Sequence, residues 1–226
     1  MPLIKEYSYT LAAPDADGIA VAQQLVGAGD LALAGALTSG GTYTTSDKCA
    51  KQIAIESAGN LSGITFTVYG KLVENGEVES EAVTGPNNGI VETTGYFYTV
   101  TRVAAGAAVG SDVTVGTSDE VATPFKFTDL IDALASITVS GTINVDVQVT
   151  AANVYKLARE GSYSETTAAW ADSATTTMSA ALANHSSGTA YGRITGPIGA
   201  IRVVSNSYSA GATIKLRLVP QRDYVA

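Results

Sequence analysis

Gly63-Ile64-Thr65-Phe66-Thr67-Val68-Tyr69, Asn75-Gly76 and Glu77-Val78-Glu79-Ser80-Glu81-Ala82 open the stretch Gly63 to Gly116, on which the reading of the fold turns. Ile64 to Tyr69 alternates apolar and polar, the period of a half-buried strand. Asn75-Gly76 is a pair that tolerates the positive φ angles of a type I′ hairpin turn. Beyond it, Glu77, Glu79 and Glu81 fall on one face and Val78, Ser80 and Ala82 on the other. Three unpaired carboxylates are costly to bury, so the Glu face is expected in water. Thr84-Gly85-Pro86-Asn87-Asn88-Gly89 is a second dense turn signal. Tyr96 to Val103 and Asp112 to Gly116 read as further strands. Short strands joined by strong turns make a β-sandwich.

Working outward, Met1 to Leu11 alternates loosely through Leu3, Lys5, Tyr7 and Tyr9. It reads as an edge strand, or as an arm that docks on a neighbouring subunit. Pro14 to Gly18 reads as a turn, with too few acidic ligands for a calcium loop. Ala-rich Ile19 to Val26 is expected to form a short helix. Leu31, Leu33 and Leu37 alternate as in a strand, with Gly35 at a bulge or close approach. Ile53 and Ile55 mark another strand.

A polar run at Thr117 to Glu120 followed by Thr123-Pro124 places a domain boundary near residues 117–126. Two domains follow, 1–120 and 121–226. After the boundary, Ile137, Val139, Gly141, Ile143, Val145, Val147 and Val149 share one face. That run is too long for one strand, so a bend or bulge is expected at Ser140-Gly141. Tyr155 to Ala190 reads as loops and short strands. Thr195-Gly196-Pro197 reads as a turn, repeating the Thr-Gly-Pro of residues 84–86. In the last strand, Ile214, Leu216 and Leu218 face in while Thr213, Lys215 and Arg217 face out. The fold class expected is all-β: two antiparallel β-sandwich domains, jelly-roll or Ig-like, with short helical turns at most.

The 226 residues carry 13 Lys and Arg against 21 Asp and Glu, a net charge of −8. An acidic chain gains no counterion release on nucleic acid, so neither DNA nor RNA is an expected partner. No apolar run approaches a membrane span, and no membrane partner is expected. Cys49 is the single cysteine, so no intrachain disulfide can form, which fits folding in a reducing cytoplasm. The residues from Met1 to Tyr7 lack the basic-then-apolar order of a signal peptide.

Chemistry-bearing residues are few. His185, the one histidine, lies in Asn184-His185-Ser186-Ser187-Gly188, which reads as an exposed loop, and no Gly-x-Ser-x-Gly elbow exists. A zinc site would need more His and Cys than the chain owns. No catalytic residue, cofactor or metal site is assigned. Tyr155, Tyr163, Trp170, Tyr191 and Tyr208 could form an aromatic platform for glycans, or serve as core and interface anchors.

Ser57 to Gly70, Thr84-Gly85-Pro86-Asn87, Tyr96 to Thr101 and Val113 to Thr117 together resemble a recurrent module of tailed-bacteriophage virion proteins. Asp15 to Ala20 and Gly27 to Leu31 resemble its N-terminal portion. Gly141 to Gln148, Trp170, Gly196 to Arg202 and Lys215 to Leu218 are similar to the second domain of the same proteins. The resemblance leaves out Tyr155 to Asn184, apart from Trp170. It implies a non-enzymatic structural protein located in the virion and made in the host bacterial cytoplasm. The form it favours is a head decoration or cement protein of the capsid lattice. Alternatives are a tail or head–tail connector component, or a receptor- or glycan-binding module of a tail fibre. Implied partners are the major capsid protein or other virion subunits, and copies of itself. Leu3, Ile4, Tyr7, Tyr9, Trp170, Tyr191 and Tyr224 are the candidate interface residues.

Overall fold

A computed structural model describes residues 4–161, 163, 168, 170–172 and 182–220. The described chain is almost entirely antiparallel β-structure, with one short helix, α1 (Val154–Arg159). Two hydrogen-bonded sheets organise it.

The smaller sheet contains β3 (Gly29–Asp30), β4 (Thr38–Ser39), β5 (Thr42–Thr44), β7 (Thr65–Lys71), β8 (Glu79–Thr84) and β10 (Thr99–Ala105). Its order is β4-β5-β10-β7-β8, with β3 added to β10. Facing it are β2 (Asp15–Leu25), β6 (Ala50–Asn60), β9 (Asn87–Glu92) and β11 (Val109–Ala122), which belong to the larger sheet. Phe66, Val68, Val100 and Val103 from the smaller sheet meet Ile19, Ile53, Ile55, Val113 and Val115 from the larger one. This is a sandwich core, each fully buried aliphatic contributing roughly 1.5–3 kcal/mol.

The larger sheet continues through β11 into β12 (Lys126–Ser140), β13 (Ile143–Thr150), β14 (Ala171–Asp172), β15 (Gly188–Tyr208), β16 (Thr213–Pro220) and β1 (Lys5–Thr10). Its order is β1-β16-β12-β15-β11-β6-β9, with β2 on β11 and β13 on β15. The long β15 pairs with β12 over residues 188–201 and with β13 over residues 200–208. Ile137, Val139, Val145, Val147, Ile194, Val203, Ile214, Leu216 and Leu218 share a second core. All of them come from this one sheet, so the sheet must curl over itself to enclose them. The inward row expected at Ile137 to Val149 is buried at each of its branched residues, and the last strand faces as expected. Between β12 and β13 the bend expected at Ser140-Gly141 is a complete turn, with Gly141 at φ +85 and a built Cβ 3.0 Å from Ala212 Cα.

Several local expectations fail, each because tertiary pairing overrides a local signal. Ile19 to Val26 is no helix: residues 15–25 form β2, whose Ala20 pairs with Val115 and whose Ile19 is fully buried. Asp15 to Gly18 accordingly starts a strand and is not a turn. Leu31 to Leu37 is not a regular strand, although Gly35 does make a close approach, a Cβ there falling 2.3 Å from Gly18 C. The β7–β8 hairpin forms, but across residues 72–78, and neither Asn75 nor Gly76 has positive φ. The Glu face is also only partly as expected: Glu77 is exposed, but the other two carboxylates turn inward. Glu79 and Glu81 are half-buried, whereas Val78, Ser80 and Ala82 are exposed. Glu81 is satisfied there by the backbone N–H groups of Thr94 (2.5 Å) and Gly95 (2.8 Å). The two Thr-Gly-Pro triplets differ as well. Residues 84–86 switch the chain between sheets, while 195–197 lie inside β15 where its register with β12 shifts.

The two cores are joined twice. β11 pairs with β6 and β2 over residues 109–117 and with Ser205 and Val204 of β15 at Val121 and Ala122. Beside that crossing lies a buried ion pair. Asp47 and Lys51 approach to 3.1 Å with each side chain 3% exposed. Asp47 also accepts from Ala12 N, the Thr45 hydroxyl and Cys49 N. Lys51 Nζ also donates to Ala12 O and to the Tyr208 hydroxyl. Tyr9, Leu11 and Cys49 pack into the second core, so the chain's first strand and the Asp47 loop both serve the later half.

Burial pushes the Asp47 carboxyl up, but Lys51 and the three hydrogen bonds outweigh it and leave the group below its ordinary range. Its stabilisation is therefore present above the unfolded value of 3.8 and fades as pH falls through the lower folded value. Replacing Asp47 with Ala strands a buried ammonium. Urea denaturation at neutral pH should show a loss of about 3–5 kcal/mol, and a loss below about 1 kcal/mol would contradict the role assigned to the pair.

Candidate functional site

Two features of the surface have the composition of sites. The first is the outer face of β1, β16, β12 and β15. Register places Glu6, Arg217, Ser136 and Tyr191 in one cross-strand row. Ser8, Lys215, Thr138 and Thr189 form the next row on one flank, and Val219, Leu134 and Arg193 form the next row on the other flank of the same face. Ile4 continues the alternation one residue before β1. On this face Ile4 is 49%, Leu134 43% and Tyr191 72% exposed. A surface-exposed ion pair, Lys215 to Glu6 at 3.2 Å, crosses its edge. Apolar side chains set among Arg and Lys, on the outer face of a sheet with β1 at its edge among the described strands, are the ingredients of a protein-binding surface.

The structure thus gathers Ile4 and Tyr191 on one face. Tyr7 is half-buried under the Lys126 ammonium, 4.5 Å from its ring centre, and Tyr9 is a core residue rather than an outward one. Trp170 is half-buried elsewhere, while Leu3 and Tyr224 lie outside the described residues.

The second feature is a cleft of about 220 Å³ where the two cores meet. Leu72, Val73 and Glu74 of the β7–β8 loop, Tyr96 and Tyr98 before β10, and Phe125 before β12 supply its walls. Lys48, Lys126, Arg159 and Arg202 supply its charge. Arg202 is 2% exposed in the apolar run Ile201-Arg202-Val203-Val204. Its Nε donates to Gln148 Oε1 at 2.8 Å, Nη1 lies 3.4 Å from the Tyr163 hydroxyl, and the guanidinium stacks 4.3 Å from the Trp170 ring and 5.2 Å from Tyr96. Phe125 packs 5.3 Å from both Tyr163 and Trp170, and Trp170 Nε1 donates to the Tyr163 hydroxyl. Burial lowers the affinity of Lys126 for its proton, against the opposing effects of Cys49 and Glu74 and with a smaller contribution from Lys48.

Of the five aromatics considered for a glycan platform, the four with described side chains do not assemble. Tyr163 and Trp170 belong to this junction, Tyr208 is buried against Lys51, Tyr191 stands alone, and the Tyr155 side chain is outside the description. His185 is half-buried and holds its place by backbone pairing with Val145, its Nε2 3.1 Å from Gly188 O. Among the described residues, no three His, Cys, Asp or Glu are grouped to hold a metal. Sequence reasoning missed Asp47, Lys51, Lys126 and Arg202. Only Arg202 carried a signal, as a lone cation in an apolar run that a strand must bury.

No protein-family model matches this chain, and no curated protein does. Among solved structures, 96% of the chain aligns with 97% of a chain described as "Crystal Structure of the STIV MCP", a viral major capsid protein of an archaeal virus. The alignment is 8% identical with a TM-score of 0.20, too low to establish a shared fold.

Glu79, beside this junction but not lining the cleft, has its carboxyl pushed up to about 7 by burial, against a smaller opposing hydrogen bond from the Tyr163 backbone. A folded value above the unfolded 4.5 means that deprotonation penalises the native state between those pH values. Glu79→Gln should therefore leave stability nearly unchanged at about pH 4 and raise it at about pH 8. Denaturation curves at the two pH values decide it, and equal effects at both would refute the assignment.

Proposed function

We propose that this chain is a non-enzymatic structural protein of a virus particle, a head decoration or cement protein that seats on a capsid lattice alongside copies of itself. The observation that carries the reading is the outer face of β1, β16, β12 and β15, where Leu134 and Tyr191 are exposed on a hydrogen-bonded sheet. The resemblance of Ser57 to Gly70 and of Gly141 to Gln148 to phage virion modules supports the same reading. A stiff, all-β body with two fused cores suits passive reinforcement, since many modest contacts on a repeating lattice sum to tight binding. With a net charge of −8, the partner is proposed to be protein rather than nucleic acid.

Co-sedimentation with purified capsids that lack this chain tests the proposal. Wild-type protein should pellet with the capsids and raise their melting temperature. Leu134→Asp and Tyr191→Asp should each weaken capsid binding about tenfold or more while leaving the protein's own unfolding transition in place. Failure of the wild type to bind would overturn the reading. So would a stoichiometry of roughly six or twelve copies per particle, which points to a connector. Saturable sugar binding abolished by Trp170→Ala would favour the fibre module instead.

A further inference from the structure

The junctional cleft brings together groups that the lattice-binding reading leaves unused. Lys48 and Lys126 both line it, and among the described residues no carboxylate lies within ion-pairing distance of either ammonium. Lys126 is half-buried, resting its ammonium on the rings of Tyr7 and Tyr9 at 4.5 and 5.8 Å. Lys48 is held at φ +65, a left-handed conformation that a lysine adopts at a cost and that recurs at ligand sites. The Lys48 charge disfavours the charged form of half-buried Lys126, and an anion bound between the two offsets that repulsion.

We propose that this cleft binds a carboxylate carried on a compact aromatic or aliphatic body, the carboxylate paired with Lys48 and Lys126 and the body held between Tyr98, Phe125 and Tyr163. The charge count sets the sign. Lys48, Lys126, Arg159 and Arg202 line the cleft against the single carboxylate of Glu74, so positive charge is in excess and favours an anion. Arg202 is engaged by Gln148, Tyr163 and the Trp170 ring, so it shapes the wall. The volume sets the size. About 220 Å³ falls below the roughly 300 Å³ at which drug-sized sites begin, and suits one ring and its substituent. A neutral sugar is a poor match, because the walls are mainly aromatic and aliphatic and would leave most of its hydroxyls without partners.

The site is independent of lattice binding, and its test does not involve capsids. 4-Hydroxyphenylacetate is titrated into the full chain by calorimetry. The fluorescence of Trp170, the one tryptophan, which packs 5.3 Å from the Phe125 wall, gives a second readout. Saturable binding that weakens with salt is expected, and the neutral 4-hydroxyphenylacetamide should bind about tenfold more weakly. Lys48→Gln, at an exposed position where folding is not at stake, and Lys126→Gln should each cost about tenfold, while Lys215→Gln on the distant face costs nothing. An N-acetyl-Tyr-Glu amide run in parallel separates the sources. Tighter binding of the peptide assigns the carboxylate to a partner chain, and tighter binding of the free acid to a small metabolite. Equal binding of acid and amide, no binding of either probe at millimolar concentration, or tighter binding of phenyl phosphate would overturn the proposal.

Discussion

Asp47 and Lys51 lie 3.1 Å apart, almost wholly out of water, at the meeting point of three stretches of chain distant in sequence. Removing two charges from solvent is unfavourable, and their attraction offsets that cost only where the remaining hydrogen-bonding capacity is filled. Here it is filled by Ala12 from the segment after β1, by Thr45 and Cys49 from the loop itself, and by Tyr208 from the end of β15. A hydrophobic contact at this point would tolerate sliding, whereas a charge with defined partners does not. The pair therefore fixes the position of the N-terminal segment and of the β15 terminus against the first sandwich. Both the outer face and the junctional cleft inherit their geometry from that fixed relation.

The same placement explains why the two surface features have different characters. The outer face belongs to a sheet whose inner side is fully committed to the second core, so its residues are free to be chosen for contact. The cleft sits where two cores abut without merging, and its lining comes from loops and strand ends of both. Aromatic rings and long cationic side chains fill such a seam well, because they bridge an irregular gap while keeping a polar tip near water. The stack of Arg202 on Trp170 and the perch of Lys126 on Tyr7 are both instances.

How much of this was legible in the sequence depended on the range of the information each feature needs. Period-two alternation is local and strong, so the buried rows of β12, β13 and β16 were readable residue by residue. The helix expected over Ile19 to Val26 rested on alanine propensity, a weak preference that pairing with β11 overrode. The partly inverted Glu face turned on Thr94 and Gly95 N–H groups more than ten residues away, which no local pattern reveals. Likewise, the exposed location of Ile4 and Tyr191 on one face followed from register across four strands. The cleft was invisible because its cations are scattered from Lys48 to Arg202 and only folding brings them together.

β1 and β16 pair over Lys5 to Thr10 and Thr213 to Leu218, so two strands some two hundred residues apart in sequence are neighbours in the sheet. On a ribosome, that first ribbon waits through the synthesis of some two hundred residues with its backbone groups unclaimed. Such long-range closure slows folding and prolongs exposure to wrong partners, including the matching ribbon of a neighbouring nascent chain. Exchange of that ribbon between copies of the chain is the characteristic error such closure invites.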